Sequence, residues 1–479
     1  MKGSRPAKWW LVMLLLAETA TFAQTAPPAP NRPWTAVGDE RPVRAEPWRS
    51  SAFPVDPART YSLAELIDLA QRHNPETRVA WEQARAQAAA LGVARSELYP
   101  TLTAAALARA DRTDILVGNA FIRQDRRSAA LAFDLTYMVF DFGGRAGRIE
   151  SARSETLASN FAFNDTHRKI IFQVSDAYYR LLNASGQEDA ARASLANAQT
   201  VQRAAEERLP NGLATLPDVL EARSAAAQAD YELQAALGAR EIALGNLAMA
   251  IGAMPSADLK VQPLGDVVQP DSFSTTVDEA IDRALAQRPD LMQRMAEIRS
   301  ADARTQEARA AFYPTLSFRA QPAPELLRGL QRTYPWTHAD GVFGGVGLSL
   351  DWKVFDGGAR SRAMAEAQAV SAAARARAAS AGDQIANDVW TAYSQFTTAL
   401  RRRQAATALL DSAGQSYAAA LESYTLGLRS LLDASAAQRT LAQARSADVL
   451  ARTQALAALA DLAFQTGDSV QSTPRTSRP

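Results

Sequence analysis

The chain has 479 residues, room by length for about three ordinary domains, and its 52 Lys and Arg against 51 Asp and Glu leave it at +1. That balance, with no basic stripe and no acidic excess, argues against a nucleic-acid binder and against a surface built for a cationic partner. Zero cysteines exclude disulfides, thiolate metal sites and an N-terminal lipidated cysteine.

In chain order, residues 1–23 read as a secretory signal peptide. Lys2, Arg5 and Lys8 form a positive start, Trp9–Ala17 an apolar core and Thr21-Phe22-Ala23 a small-residue cleavage site. That core is too short to span a bilayer of about 30 Å as a helix. No later stretch reaches the length of a spanning helix, so the mature chain is expected to lack a helical anchor. Residues 24–60 form a proline-rich arm, with Pro27, Pro28, Pro30, Pro33 and Pro42 early in it and Pro47, Pro54 and Pro57 later.

A duplication organises the rest. Residues 63–103 align without a gap to 277–317, with thirteen of the 41 positions identical, including Pro75 with Pro289 and Tyr99-Pro100-Thr101-Leu102 with Tyr313-Pro314-Thr315-Leu316. One residue further out of step, Val139-Phe140-Asp141 pairs with Val354-Phe355-Asp356, Gly143 with Gly358, Arg145 with Arg360, and Gly212-Leu213 with Gly427-Leu428. The first repeat is read as 61–254, a linker as 255–276, the second repeat as 277–466 and a flexible tail as 467–479.

Each repeat is expected to open with a proline-started helix, Asn74 serving as N-cap for Pro75 and Glu76 complementing the helix dipole. Two stretches of period two follow in each repeat, near 100–112 and 127–140, then near 314–322 and 340–354. Leu316, Phe318 and Ala320 alternate with Thr315, Ser317, Arg319 and Gln321, and Leu131, Phe133 and Leu135 with Ser128, Asp134 and Thr136. About ten residues with one apolar and one polar face suits a membrane-spanning strand; it also suits a half-buried strand of a soluble sheet. Residues 112–126 and 323–338 are read as loops outside the cell, and Tyr99, Tyr137, Phe140, Phe142, Tyr313, Trp352 and Phe355 as an interfacial girdle or ordinary core.

The period then turns helical. Ile149, Ala152, Thr156, Ser159, Phe163, Ile170, Val174, Ala177 and Leu181 mark one stripe, and Ile385, Val389, Ala392, Phe396, Ala399, Leu410, Ala413, Tyr417, Ala420 and Tyr424 its counterpart. Two uninterrupted helices, 144–209 and 358–424, would each run about 100 Å. Return helices 217–252 and 431–466 follow the turns. A return helix placed end to end with a proline-started helix nearly matches one long helix, so the two would line its length.

A lipid-exposed sheet edge is not tolerated, and closed membrane barrels start at about eight strands, so four strands require partner copies. Here the sequence resembles the TolC-like outer-membrane efflux factor family, from about Tyr61 to Gln465. The resemblance rests on the duplication, the doubled Tyr-Pro-Thr-Leu starts, the Val-Phe-Asp…Gly…Arg junctions and the Gly-Leu turns followed by Asp. It implies an α+β membrane protein whose duplicated unit gives four transmembrane strands per chain. The assembly implied is a homotrimer with a twelve-stranded β-barrel and a long periplasmic α-helical barrel in the outer membrane, a channel and not an enzyme; the lack of cysteine makes it one that is not lipidated. Implied partners are a periplasmic adaptor, or membrane fusion protein, an inner-membrane pump of RND, ABC or MFS type, and outer-membrane lipid. No cofactor is implied.

By the same resemblance Gly212, Leu213, Gly427 and Leu428 are adaptor-docking tips, and Asp218, Tyr424, Arg429 and Asp433 hold the periplasmic entrance shut. An aspartate accepting from a tyrosine hydroxyl and an arginine bonded to a neighbouring helix would do that physically. The chain departs from the family at Pro217 and Ala436, where a threonine and a second acidic residue are usual. The same charged residues also suit an exposed helix end, where ion pairs contribute at most about 1 kcal/mol. A soluble coiled-coil scaffold is the competing class. Asp141-Phe142-Gly143 lacks a kinase context, Gly143-Gly144-Arg145-Ala146-Gly147 lacks phosphate-loop spacing, and His73, His167 and His338 are scattered, so no catalytic or metal site is expected.

Overall fold

The computed structural model describes residues 55–263, 276–331 and 334–468; the expected signal peptide, most of the arm, half of the linker and most of the tail lie outside the described residues. Each repeat begins with a short helix that the sequence reading merged into its surroundings. In the first, strand β1 (Thr60–Tyr61) leads into α1 (Leu63–His73), opened by a capping box in which Ser62 and Glu65 bond each other's backbone. Asn74 ends α1 and caps α2 (Pro75–Ser96), its Oδ1 accepting from Glu76 N at 2.8 Å.

Strands β2 (Thr101–Val117) and β3 (Ala120–Phe140) form the first hairpin. Helix α3 (Gly144–Arg208) and its return α4 (Leu216–Ala250) complete the repeat, and β4 (Lys260–Val261) comes back parallel to β1. The second repeat runs α5 (Val277–Gln287), α6 (Pro289–Ala310), β5 (Thr315–Gln331), β6 (Tyr334–Asp351), α7 (Ala359–Thr425) and α8 (Leu431–Thr466). At 65 and 67 residues, α3 and α7 are each about 100 Å long.

The four long strands make one antiparallel sheet in the order β2-β3-β5-β6, its β2 and β6 edges unpaired among the described residues. Register puts Leu102, Ala104 and Ala106 opposite Leu135, Phe133 and Leu131, and Leu316 and Phe318 opposite Leu350 and Leu348, on one face. Leu102, Leu348 and Leu350 are about two-thirds exposed, so this face is not the core of the chain that carries it. Thr103, Asp134, Thr136 and Arg319 hold the other. The strands run 17 to 21 residues, well past the ten that alternation marks. Residues 112–126, expected as a loop, are ribbon, and so are the described residues of 323–338. Their alternation fades because the face that is apolar near the helices turns charged: Arg112 pairs with Asp125, and Arg123 with Asp114 at 3.6 Å. Cross-strand charge pairs hold a ribbon as apolar pairs do.

Between β3 and β5, where the repeats join, Ala130 pairs with Glu325 and Leu135 with Ala320, and the residues between them carry no ladder. Pro322 and Pro324 stand in that gap. Proline cannot donate to a ladder and is tolerated in a central strand only at such breaks. The Gln321 amide donates to the Asp134 carboxylate across it.

Strand passes to long helix by the same device in both repeats. Asp141 accepts from Arg145 N, and Asp356 from Gly358 N and Arg360 N at 3.1 Å each, around left-handed glycines Gly143 (φ 97°) and Gly358 (φ 88°). This accounts for the doubled Asp…Gly…Arg motif, including the phosphate-loop look-alike. The aromatics cluster at this level, Phe142 stacked on Tyr313 at 4.9 Å and Trp352 Nε1 donating to Phe312 O at 3.1 Å.

The short helices stack end to end along the long ones. Asn74 Nδ2 donates to Ala250 O at 3.1 Å where α4 meets α2, and Arg288 NH1 to Gln465 Oε1 at 3.1 Å where α8 meets α6. Every expected position of the α7 stripe is buried except Leu410, which is half-buried, and Ser371, Ala374, Ala378 and Ala406 are buried besides. The α3 stripe differs. Its buried positions near the sheet are Gly144, Gly147, Ser151, Ser154 and Ala158, while Ile149, Ala152, Thr156, Ser159 and Phe163 are only half-buried. The close face of α3 meets α6 through small and polar residues, Ser151 Oγ lying 3.0 Å from Ser300 Oγ, so hydrophobic periodicity points away from it.

At mid-height a charged network joins α3, the start of α6, α7 and α8. Arg168 on α3, 1% exposed, donates to Asp165 and to Phe464 O, and Arg288 forks onto Asp290. Asp461 on α8 accepts from Gln465, yet burial first, and then the nearby Asp388 and Asp176 carboxylates, push its pKa up. A raised folded pKa makes the ionised carboxyl a cost. That cost is absent below the ordinary aspartate range and complete above the folded pKa. Asp461→Asn is therefore expected to raise the unfolding temperature at neutral pH and to lose that advantage as pH falls. A variant no more stable at pH 7 than at pH 4, relative to the parent, would contradict the assignment.

Candidate functional site at the helix tips

Both hairpins turn at the end far from the sheet, and they turn alike. Gly212 (φ 70°) donates its N–H to Leu209 O at 3.0 Å, and Gly427 (φ 78°) to Tyr424 O at 2.9 Å. Leu213 N then returns to Arg208 O and Leu428 N to Ser423 O, closing the αL turn that glycine adopts without penalty. Thr215 and Ser430 cap the return helices. The exposed Leu213, Leu216, Leu426, Leu428 and Leu432 leave an apolar fringe around the turns. Beneath it the tips share one core, with Val201, Ala205 and Val219 of the first hairpin against Tyr417, Tyr424 and Leu431 of the second.

The four expected entrance residues come to this region, but not into one bonded set. Asp218 is the third residue of a capping box: its Oδ2 accepts from Thr215 N at 2.8 Å and Oγ1 at 2.7 Å. Asp433 does the same with Ser430, at 3.1 and 2.8 Å. Those bonds hold both carboxyls below the usual aspartate range, Asp218 chiefly through Thr215 N–H and Asp433 chiefly through the Ser430 hydroxyl. Tyr424 is buried and its hydroxyl has no hydrogen-bond partner among the described residues, so the expected tyrosine-to-aspartate bond is not made within them. Burial raises its pKa, Arg208 opposing and Asp218 adding to the rise. Arg429 is exposed, its positive charge lowering Asp433.

Sequence reasoning missed Arg208. Its NH1 donates to Tyr424 O at 2.6 Å and Thr425 O at 3.0 Å, its NH2 to Leu213 O at 3.3 Å, and its guanidinium lies over the Tyr424 ring, 4.9 Å from the centroid. The available signal was its place four residues before the tip glycine, where the other repeat has Ser423. Among the described residues, no group of His, Asp and Glu is spaced to hold a metal ion.

A doubled unit of two long strands on a stalk of paired helices, with a bare apolar sheet face and open sheet edges, defines a subunit of an outer-membrane channel. The chain belongs to the outer membrane efflux protein family, whose sequence model matches it twice, at residues 66–253 and 280–468. Family and fold are those of channels rather than enzymes, and the family places the protein in the outer membrane. Over about half the length of each, it matches protein CyaE of Bordetella pertussis at 27% identity over 266 residues, 55% of this chain and 54% of that one. Outer membrane protein OprJ of Pseudomonas aeruginosa is 25% identical over 458 residues, 92% of this chain and 90% of its own. The crystal structure of the outer membrane protein VceC from Vibrio cholerae superposes with a TM-score of 0.72 at 20% identity, covering 85% of this chain and 96% of that one.

Proposed function

We propose that the chain is one subunit of a passive trimeric exit duct, gated and docked at its helix tips and making or breaking no bond. The observation that carries this is the four-stranded sheet, apolar on one face and, among the described residues, unpaired at both edges. Lipid tolerates neither a lone open edge nor an unsatisfied backbone, so β2 and β6 call for identical neighbours. Three copies give twelve strands, with the helices closing into a periplasmic cylinder below. No helix among the described residues is long and apolar enough to cross a membrane.

At the tips, Gly212, Leu213, Gly427 and Leu428 offer a turn pair with room for another helix, and the proposed partner is a periplasmic adaptor linked to an inner-membrane RND, ABC or MFS-type pump. Asp218, Tyr424, Arg429 and Asp433 are proposed to close the mouth between subunits. The caps that tie Asp218 and Asp433 locally leave further carboxylate lone pairs for a neighbour's donor. Native mass spectrometry of the detergent-solubilised protein is expected to give three chains, and planar-bilayer recordings of Asp218→Asn and Arg429→Gln a higher conductance than the parent. A monomer would sink the duct; unchanged conductance in both variants would sink the gate.

A further inference from the structure

We propose that the mid-height hollow between α3, α7 and α8 binds organic cations with aromatic or other apolar bodies. The binding itself needs only this subunit; that the ligand is cargo in transit rests on the duct reading. Ile170, Val174 and Tyr178 of α3 pack in one cluster with Leu66 of α1, and Ile385 and Val389 of α7 in another with Ala280 of α5. Phe172 and Asp176 stand two residues out of step with the first set, and Ser394 and Thr398 nine residues on from Ile385 and Val389. Both offsets are about half a turn of helix. These four residues line the hollow, which therefore opens on the side away from α1 and α5. In a duct carrying those short helices on its outer wall, that side is the bore.

The hollow holds about 740 Å³, within the range of roughly 300–1,000 Å³ usual for small-molecule sites. Two of its walls are aromatic. Trp390 is 56% exposed, and Phe172 is held by stacking on Phe464 at 4.7 Å. Such faces attract a cation through the ring quadrupole and an apolar body by contact. The carboxylates nearby are not equivalent. Asp176 has Arg180 at 2.7 Å, and Asp388 has Gln384 at 2.7 Å and Arg288 at 3.9 Å. Asp461 is half-buried; Gln465 Nε2 bonds it at 3.0 Å, and the charges that bear on it are the other two carboxylates. Its ionised form therefore costs stability, and a residue kept at such a cost points to function. A bound cation would remove the cost. Arg402, also on the lining, lies twelve residues down α7 from Trp390, about 18 Å along the helix, too far to do so. A bare metal ion does not fit, because among the described residues no three His, Asp or Glu are grouped to hold one.

The test is calorimetric titration of the detergent-solubilised full-length protein with tetraphenylphosphonium, and with tetraphenylborate, its counterpart of like shape and opposite charge. The parent is expected to bind the phosphonium saturably and the borate not at all. Asp461→Asn and Trp390→Leu should each weaken phosphonium binding on the order of tenfold. Circular dichroism melts verify that both variants fold. In planar bilayers the phosphonium should reduce the parent's current and leave that of Asp461→Asn largely unchanged. Binding weakened by both substitutions, with no effect on current, would support the site while sinking its place on a bore. Equal binding of the two probes, or parental affinity in Asp461→Asn, would overturn the site.

Discussion

Replacing Arg168 with alanine is expected to cost about 3–5 kcal/mol, the penalty for removing one partner of a buried ion pair. Arg168 is 1% exposed in the middle of α3, and its bonds reach beyond its own helix. Its Nε and NH2 bond Asp165 Oδ1 at 3.1 and 2.6 Å, NH1 bonds Phe464 O at 2.6 Å, and the guanidinium sits 4.1 Å from the Phe464 ring centroid. Asp290, at the start of α6, lies 3.7 Å away. Truncation would leave Asp165, itself 8% exposed at the side chain, with Lys169 as its remaining ion pair, and would leave the Phe464 carbonyl near the end of α8 with the Gly467 N–H alone. Arg168→Met with Asp165→Leu, which removes the desolvated charges together, should recover much of the loss. Thermal unfolding followed by circular dichroism reads both. A single variant within about 1 kcal/mol of the parent would show that water reaches this network.

How much of this was legible in the sequence varies by the kind of signal. Caps and turns were plain, because Asn74-Pro75 and the tip glycines act through their own backbone. The stripe of α7 was legible because Ile385, Val389 and Phe396 meet apolar partners. The stripe of α3 was legible at Ile170, Val174 and Leu181 but hidden near the sheet: Gly147, Ser151 and Ser154 are buried by close approach, which periodicity in hydrophobicity does not record. The distal ribbon was hidden because the Arg112–Asp125 pair does the work that apolar pairs do nearer the helices. At the tips, the family pattern drew attention to Asp218 and Asp433 but could not say that each carboxylate caps its own helix. Arg208 left only the asymmetry with Ser423, and a contact 216 residues away along the chain has no local signature.

Gly147 is expected to be the most costly glycine to substitute in α3. A Cβ there would stand 2.8 Å from Ala303 O and 2.9 Å from Glu307 N, both backbone atoms of α6 that cannot turn aside. A methyl forced into packed structure costs about 1–3 kcal/mol, and Gly147→Val, with two more carbons against the same backbone, should exceed that. The damage would not stay local. Helix α3 descends from β3 and α6 leads into β5, so pushing them apart loads the β3–β5 junction, where the ladder is already broken beside Pro322 and Pro324. Gly92 on α2 is the matched control, since nothing lies within 4 Å of its Cβ position. There Gly→Ala should instead stabilise by roughly 0.5–1 kcal/mol through helix propensity. Thermal unfolding ranks the set, and strand-specific hydrogen exchange locates the damage. If Gly147→Val melted with the parent, the close approach of α3 to α6 would be wrong, and with it the account of why that helix buries small residues.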